Sequence, residues 1–203
     1  MANVISMTHV IPLTEKDSFL LLLPLHHVFP FTSCFLLPLI SGSSMSFVDI
    51  LSKNRQRLIS ECRPTIMIGV PLLYAKIYRG IMRQIESSKI KSAIFKYGGK
   101  KIIGGALKKK LGGRLRIMVS GAAPMEPSII EGFTGLGITF LEGYGLTETA
   151  PLLAVNPIGA IKIGSVGPAC DGVDLKIVNP DNAGVGEIVA RGDNVMRGYY
   201  KNA

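Results

Sequence analysis

Ile138-Thr139-Phe140-Leu141-Glu142-Gly143-Tyr144-Gly145-Leu146-Thr147-Glu148-Thr149 is an apolar run that breaks into paired glycines and then into hydroxyl and carboxylate side chains. The first part reads as a buried strand. Its carboxyl end opens into a loop, and in open α/β sheets ligands bind at such ends. Each residue type in the loop has a use there. Gly143 and Gly145 let backbone approach a ligand closely, and the Tyr144 ring offers a flat face to a heterocycle. The Thr147 hydroxyl can bond a phosphate oxygen, and the Glu148 carboxylate is a hard oxygen ligand suited to Mg²⁺.

A second loop of this kind lies upstream. Arg114-Leu115-Arg116-Ile117-Met118-Val119-Ser120 runs into Gly121-Ala122-Ala123-Pro124, small residues that leave room for a flat ring against the backbone. This second loop alone reads as an ordinary tight turn into a helix, whereas the first points to a ligand by its own residue types. Two such loops on two strand ends can form opposite walls of one pocket.

The rest of the chain fits the same architecture. Further apolar runs at Phe19–Leu23, Ser44–Val48 and Thr65–Val70 read as strands, beside Arg114–Ser120 and Ile138–Leu141. Helices are expected over Phe31–Ser41, Ile50–Cys62, Leu72–Ser87, Ser92–Leu111 and Pro127–Leu136, with a short helix-like stretch at the start. Strand–helix alternation predicts an α/β fold with a mainly parallel sheet and flanking helices. After about Pro157 glycines punctuate two short β-type runs, VDLKIV and GEIVAR, joined by the turn-rich NPDNAGVG. Residues 1–157 are therefore expected to form one α/β subdomain, and 158–203 the beginning of an antiparallel one.

Composition narrows the function classes. The chain has 203 residues, 47% hydrophobic and 18% charged, as a folded domain should. The net charge of +9 comes largely from one stretch. Between Arg79 and Arg116 it carries Arg83, Lys89, Lys91, Lys96, Lys100, Lys101, Lys108, Lys109 and Lys110, with Glu86 as the only acid. A solvated helical face is expected there, with no nucleic-acid partner. Three scattered cysteines, Cys34, Cys62 and Cys170, form no metal or disulfide framework and suit the cytoplasm. Phe19 to Ile40 has no charged residue, but Pro24, Pro30 and Pro38 with His26 and His27 interrupt it. A buried strand followed by an apolar helix is expected there, with peripheral membrane contact left open.

LEGYGLTETAP (141–151) resembles the signature of the acyl-adenylate-forming superfamily. LPLHHVF, GVPLLYAKI, GGRLRIMVSGAAP and GSVGPACDGVDLKIV…GEIVARGDNVMRGYY resemble further family segments in the family's order, so that the likeness covers essentially the whole chain. The wording of LPLHHVF, GGRLR and NVMRGYYKN is most similar to long-chain fatty acid–CoA ligases.

The resemblance implies a substrate set of ATP, fatty acid and CoA, with Mg²⁺ as the metal. Acyl-AMP would form first, and the acyl group would then pass to CoA. It places Gly121, Ala122 and Ala123 on one side of adenine, and Gly143, Tyr144 and Gly145 on the other. Thr147 would meet the α-phosphate, Glu148 would hold Mg²⁺, and His27 would lie near the acyl carboxylate. It implies that residues 158–203 begin a β-barrel subdomain. The family's glycine-rich phosphate loop, its ribose-binding aspartate, and a carboxy-terminal domain with a catalytic lysine have no counterpart in these residues. The chain is thus expected to be an internal piece of a larger enzyme, inactive alone. An enzyme that loads a carrier protein, or a non-enzymatic nucleotide-binding product, are the alternatives, and oligomeric state is not legible.

Overall fold

The structure is a computed structural model that describes residues 1–49 and 51–201. Its centre is a six-stranded sheet of β1 (Ser18–Leu21), β2 (Ser44–Phe47), β3 (Ile66–Gly69), β4 (Ile117–Ser120), β5 (Thr139–Gly145) and β6 (Leu152–Val155) in the order β2-β1-β3-β4-β5-β6. β1 to β5 run parallel, and β6 returns antiparallel against β5. The expected mainly parallel α/β fold is what forms. From β1 the chain adds β2 on one side and β3, β4 and β5 on the other. That reversal opens a crevice at the carboxyl ends of the strands, where open sheets bind ligands.

Strand alternation divides the core in two. Phe19 and Leu21, Ile66 and Ile68, Ile117 and Val119, and Leu141 face one side. There they pack on α1 (Ala2–Val10) and on a helical run of α2 (Val28–Pro30), a wider π-type turn (Phe31–Leu36) and α3 (Leu37–Ser41). Leu20, Met67, Met118 and Phe140 face the other side, against α5 (Pro71–Glu86), α7 (Lys100–Lys110) and α8 (Pro127–Gly135). With period 2 and both faces covered, these strands must read as unbroken apolar runs, and they do. Tyr74, Phe133 and Phe140 anchor the second face: Tyr74 meets Phe140 edge-on at 5.0 Å, and Phe133 stacks on Phe140 at 5.5 Å. The Tyr74 hydroxyl is satisfied at 2.8 Å from the Met67 carbonyl oxygen and 3.0 Å from that of Val119.

Several expectations shift. β2 is a partly exposed edge, with Phe47 62% exposed, instead of a strand buried on both faces. Ser92–Leu111 is two helices, α6 (Lys89–Lys96) and α7, because Gly98 takes φ +92° and breaks the helix at Gly98-Gly99. α4 (Arg55–Cys62) starts later than expected; Ile50 lies outside the described residues, as do Asn202 and Ala203. The charge-free segment Phe19–Ile40 divides between buried β1 and the helical run. Among the described residues no helix is long and apolar enough to cross a membrane. The lysines of α6 and α7 are exposed, Lys108 only partly. Past the sheet, β7 (Val173–Val178) and β8 (Glu187–Gly192) pair antiparallel as the hairpin expected there.

At the amino ends of the strands, Arg116 clamps the sheet. Its guanidinium bonds both oxygens of Asp17, at 3.0 and 2.8 Å, and reaches the Pro12 carbonyl. Burial works to raise the Asp17 carboxyl pKa. The bonds from Arg116, from the Thr65 hydroxyl and from the Thr14 N–H outweigh it, and the net value lies below the ordinary one.

Candidate functional site

The carboxyl ends of β1, β3, β4 and β5 open into a cleft of about 490 Å³. β1 contributes the loop through Leu23, Pro24 and His27, and β3 contributes Val70. Ser120, Gly121 and Ala122 follow β4, and Gly143 through Glu148 complete the opposite wall. Eight of the nine residues singled out from sequence thus line one cleft: His27, Gly121, Ala122, Gly143, Tyr144, Gly145, Thr147 and Glu148. Ala123 is exposed one step beyond Ala122 and is not part of the lining.

Local chemistry explains each wall. Phe29 packs its ring on Gly121, where an added Cβ would lie 2.9 Å from the ring tip, so glycine is what the ring's position demands. Ala122 adopts φ +69°, a left-handed conformation that costs an alanine roughly 1 kcal/mol and is common where a backbone is bent around a ligand site. Ser120 is fully buried at the end of β4, and its hydroxyl has no partner among the described residues. In register beside it, Glu142 is buried, and its Oε1 accepts the Met125 N–H at 2.8 Å. That bond ties the loop after β4 to the end of β5, and so holds the two walls together.

The Thr147–Thr149 turn is built from both sides. The Thr149 hydroxyl accepts the Leu146 N–H at 3.0 Å and donates to the Pro151 carbonyl at 2.8 Å. Backbone pairing of Tyr144 with Ala154 fixes the tyrosine at the cleft, and a bulge between Tyr144 and Gly145 turns the strand there. Thr147 is exposed and its hydroxyl has no partner among the described residues, while Glu148 is half exposed. The Tyr199 hydroxyl donates to Glu148 Oε1 at 2.6 Å, and chiefly for that reason the Glu148 carboxyl pKa is lowered and the Tyr199 phenol raised. His27 sits exposed just before α2, its ring 4.2 Å from that of His26.

A hard cation fits this donor set. Mg²⁺ is characteristically held by one or two carboxylates together with substrate phosphate oxygens. Glu148, ionised at neutral pH and beside an open hydroxyl, offers that arrangement. Among the described residues no cluster of three His, Cys, Asp or Glu forms a closed metal cage.

Sequence reasoning missed Phe29, Glu142 and Tyr199 as parts of this region. Glu142 left a signal, since a lone acid ending an apolar strand must find a partner when buried. Tyr199 left none, because its contact spans 51 residues.

Known proteins share this sequence pattern and this fold. The sequence model of the AMP-binding enzyme family matches residues 1–200. The peroxisomal long chain acyl-CoA synthetase 6 of Arabidopsis thaliana is 30% identical over 99% of the chain and 32% of its own length. The peroxisomal long chain acyl-CoA synthetase 7 of the same plant is 37% identical over 69% of the chain and 24% of its own length. Among solved structures, a long-chain-fatty-acid–CoA ligase from Archaeoglobus fulgidus superposes with a TM-score of 0.74 at 20% identity, covering 99% of this chain and 39% of that one. A malonyl-CoA ligase bound to methylmalonyl-CoA and AMP gives 0.74 at 25% identity, covering 98% and 40%. The chain spans about a third of the length of the first of these relatives. With its fold, its cleft and a family model that runs through nearly every residue, the chain belongs to the AMP-binding enzyme family.

Proposed function

We propose that this chain carries the adenylate-binding half-site of an ATP-dependent long-chain fatty acid–CoA ligase. The observation that supports it most is the convergence of His27 and the two glycine-bearing loops on one cleft at the sheet's reversal point. Adenine is placed between Gly121-Ala122 and the Gly143-Tyr144-Gly145 wall, with the Tyr144 ring against the base. The Thr147 hydroxyl donates to an α-phosphate oxygen, and Glu148 holds Mg²⁺. When bound, the metal would withdraw charge from the phosphate oxygens. His27, at the mouth beside apolar Val28 and Phe29, meets the acyl carboxylate.

In the first step the carboxylate oxygen attacks the α-phosphorus and pyrophosphate leaves, giving acyl-AMP. In the second the CoA thiol attacks the acyl carbonyl and AMP leaves. The chain's own residues bind, orient and screen the reacting groups from water. Residues 158–203, whose β7–β8 hairpin forms its own sheet, begin a β-barrel subdomain in this reading. A phosphate loop and the catalytic lysine that the family resemblance calls for are not among these residues, so the chain alone binds without turning over.

The test is product analysis of the full-length protein with ATP, Mg²⁺, CoA and a long-chain fatty acid. Acyl-CoA with stoichiometric AMP and pyrophosphate is expected. ADP as the nucleotide product, or transfer only to a carrier protein, would overturn the assignment.

A further inference from the structure

The segment from Asn194 to Tyr199 lies far from the cleft in sequence, yet it grips the turn that carries Thr147 and Glu148 at three points. Asn194 is buried, and its side-chain amide donates to the carbonyl oxygens of Thr149 at 2.9 Å and Leu152 at 3.3 Å. The Met196 N–H donates to the Glu148 carbonyl at 2.8 Å. The Tyr199 hydroxyl donates to Glu148 Oε1 at 2.6 Å. From the other side Asn3 brackets the same loop, donating to the Leu152 carbonyl at 2.6 Å and accepting its N–H at 3.1 Å. Backbone and side chain of Glu148 are therefore both held by one segment. Glu148 is half exposed, and among the described residues the Tyr199 hydroxyl is the one side chain that donates to its carboxylate.

We infer that Asn194–Tyr199 is a clasp that sets the Glu148 carboxylate for its metal, with Tyr199 the positioning residue. The inference rests on the reading of Glu148 as the carboxylate that holds Mg²⁺. The phenol takes one lone pair of Oε1 and leaves Oε2 to face the cation. Such outer partners fix the direction of a ligating carboxylate, and their loss typically weakens metal binding tenfold or more. Tyr199 is 57% exposed and packs no core, so its hydroxyl can be removed without disturbing the fold.

The experiment is calorimetric titration of the chain with ATP, once in EDTA and once in excess MgCl₂, for wild type, Tyr199→Phe, Glu148→Gln and Tyr200→Phe. The ratio of the two affinities measures how far the metal assists binding. In Tyr199→Phe this ratio should fall about tenfold, with ATP affinity in EDTA and thermal midpoint unchanged. Tyr200, 89% exposed and without a bond to Glu148, should leave it unchanged. A merely structural role for Tyr199 would move the EDTA affinity or the midpoint instead. If Glu148→Gln abolishes the metal effect while Tyr199→Phe stays within twofold of wild type, the clasp is refuted and the metal assignment stands. If wild type shows no metal effect, or Glu148→Gln keeps it, the metal assignment fails and the clasp with it.

Discussion

Replacing Gly145 by alanine asks how rigidly the cleft is built. A Cβ on Gly145 would lie 1.7 Å from the Pro151 carbonyl oxygen, 2.6 Å from its carbon and 3.0 Å from Leu152 Cα. All three are backbone atoms, so no side chain can swing away. The Pro151–Leu152 segment would have to retreat by about 1.5 Å or more to reach ordinary contact. That retreat pulls the Pro151 carbonyl off the Leu146 N–H, now at 2.9 Å, and off the Thr149 hydroxyl, now at 2.8 Å. Two lost hydrogen bonds cost about 1 kcal/mol each. Overpacking adds about 1–3 kcal/mol. The sum, roughly 3–5 kcal/mol, is a large part of the 5–15 kcal/mol typical of a whole domain. Urea unfolding should show a midpoint lowered by roughly 1–2 M. A midpoint within a few tenths molar of wild type would refute the claim that β6 is pressed against the glycine loop.

Three further substitutions or measurements have definite signs. Gly105 lies in α7 with open space around its Cα, so Gly105→Ala should stabilise by about 1 kcal/mol, read as a raised urea midpoint. Asp17→Asn should destabilise by about 2–3 kcal/mol at neutral pH, since it removes the charged partner of Arg116. Because the folded carboxyl pKa is depressed, that contribution is present above the unfolded value near 4 and lost as pH falls through the folded one. The gap between Asp17→Asn and wild type, followed by unfolding from pH 7 downward, should therefore close below about pH 4. Burial pushes the Cys34 thiol up to about 12, so under native conditions an aromatic disulfide reagent should leave Cys34 unlabelled and react first at the partly exposed Cys62.

The parallel strands were legible because burial on both faces leaves little choice of residue. Phe19-Leu20-Leu21 and Ile66-Met67-Ile68 read as strands from composition alone. β2 shows where that logic weakens: Ser44-Met45-Ser46-Phe47 pairs with β1 by register, but as an edge it is not covered on both sides. β6 was overlooked because Leu152–Val155 is four residues long and follows directly on the loop motif. Its antiparallel return is set by the turn at Thr147–Ala150, where Ala150 takes φ +58°. Within the cleft, loop residues announced themselves by unusual composition, glycine beside tyrosine, threonine and glutamate. The contacts that hold them did not. Glu142 reaches Met125 over 17 residues, Asn3 reaches Leu152 over 149, and Asn194 reaches Thr149 over 45. Local pattern marks Glu142 as an acid in need of a partner, but contacts of that range depend on the finished sheet and the partners are not legible.

Calorimetric titration of the chain with a non-hydrolysable acyl-AMP analogue and Mg²⁺, beside the double variant Tyr144→Ala, Glu148→Ala, tests the central claim most directly. Saturable binding at one site per chain, abolished in the double variant while the thermal midpoint is kept, is the result the cleft predicts. Binding of equal strength in wild type and variant would contradict it, because the adenylate would then lie somewhere other than between the two glycine loops.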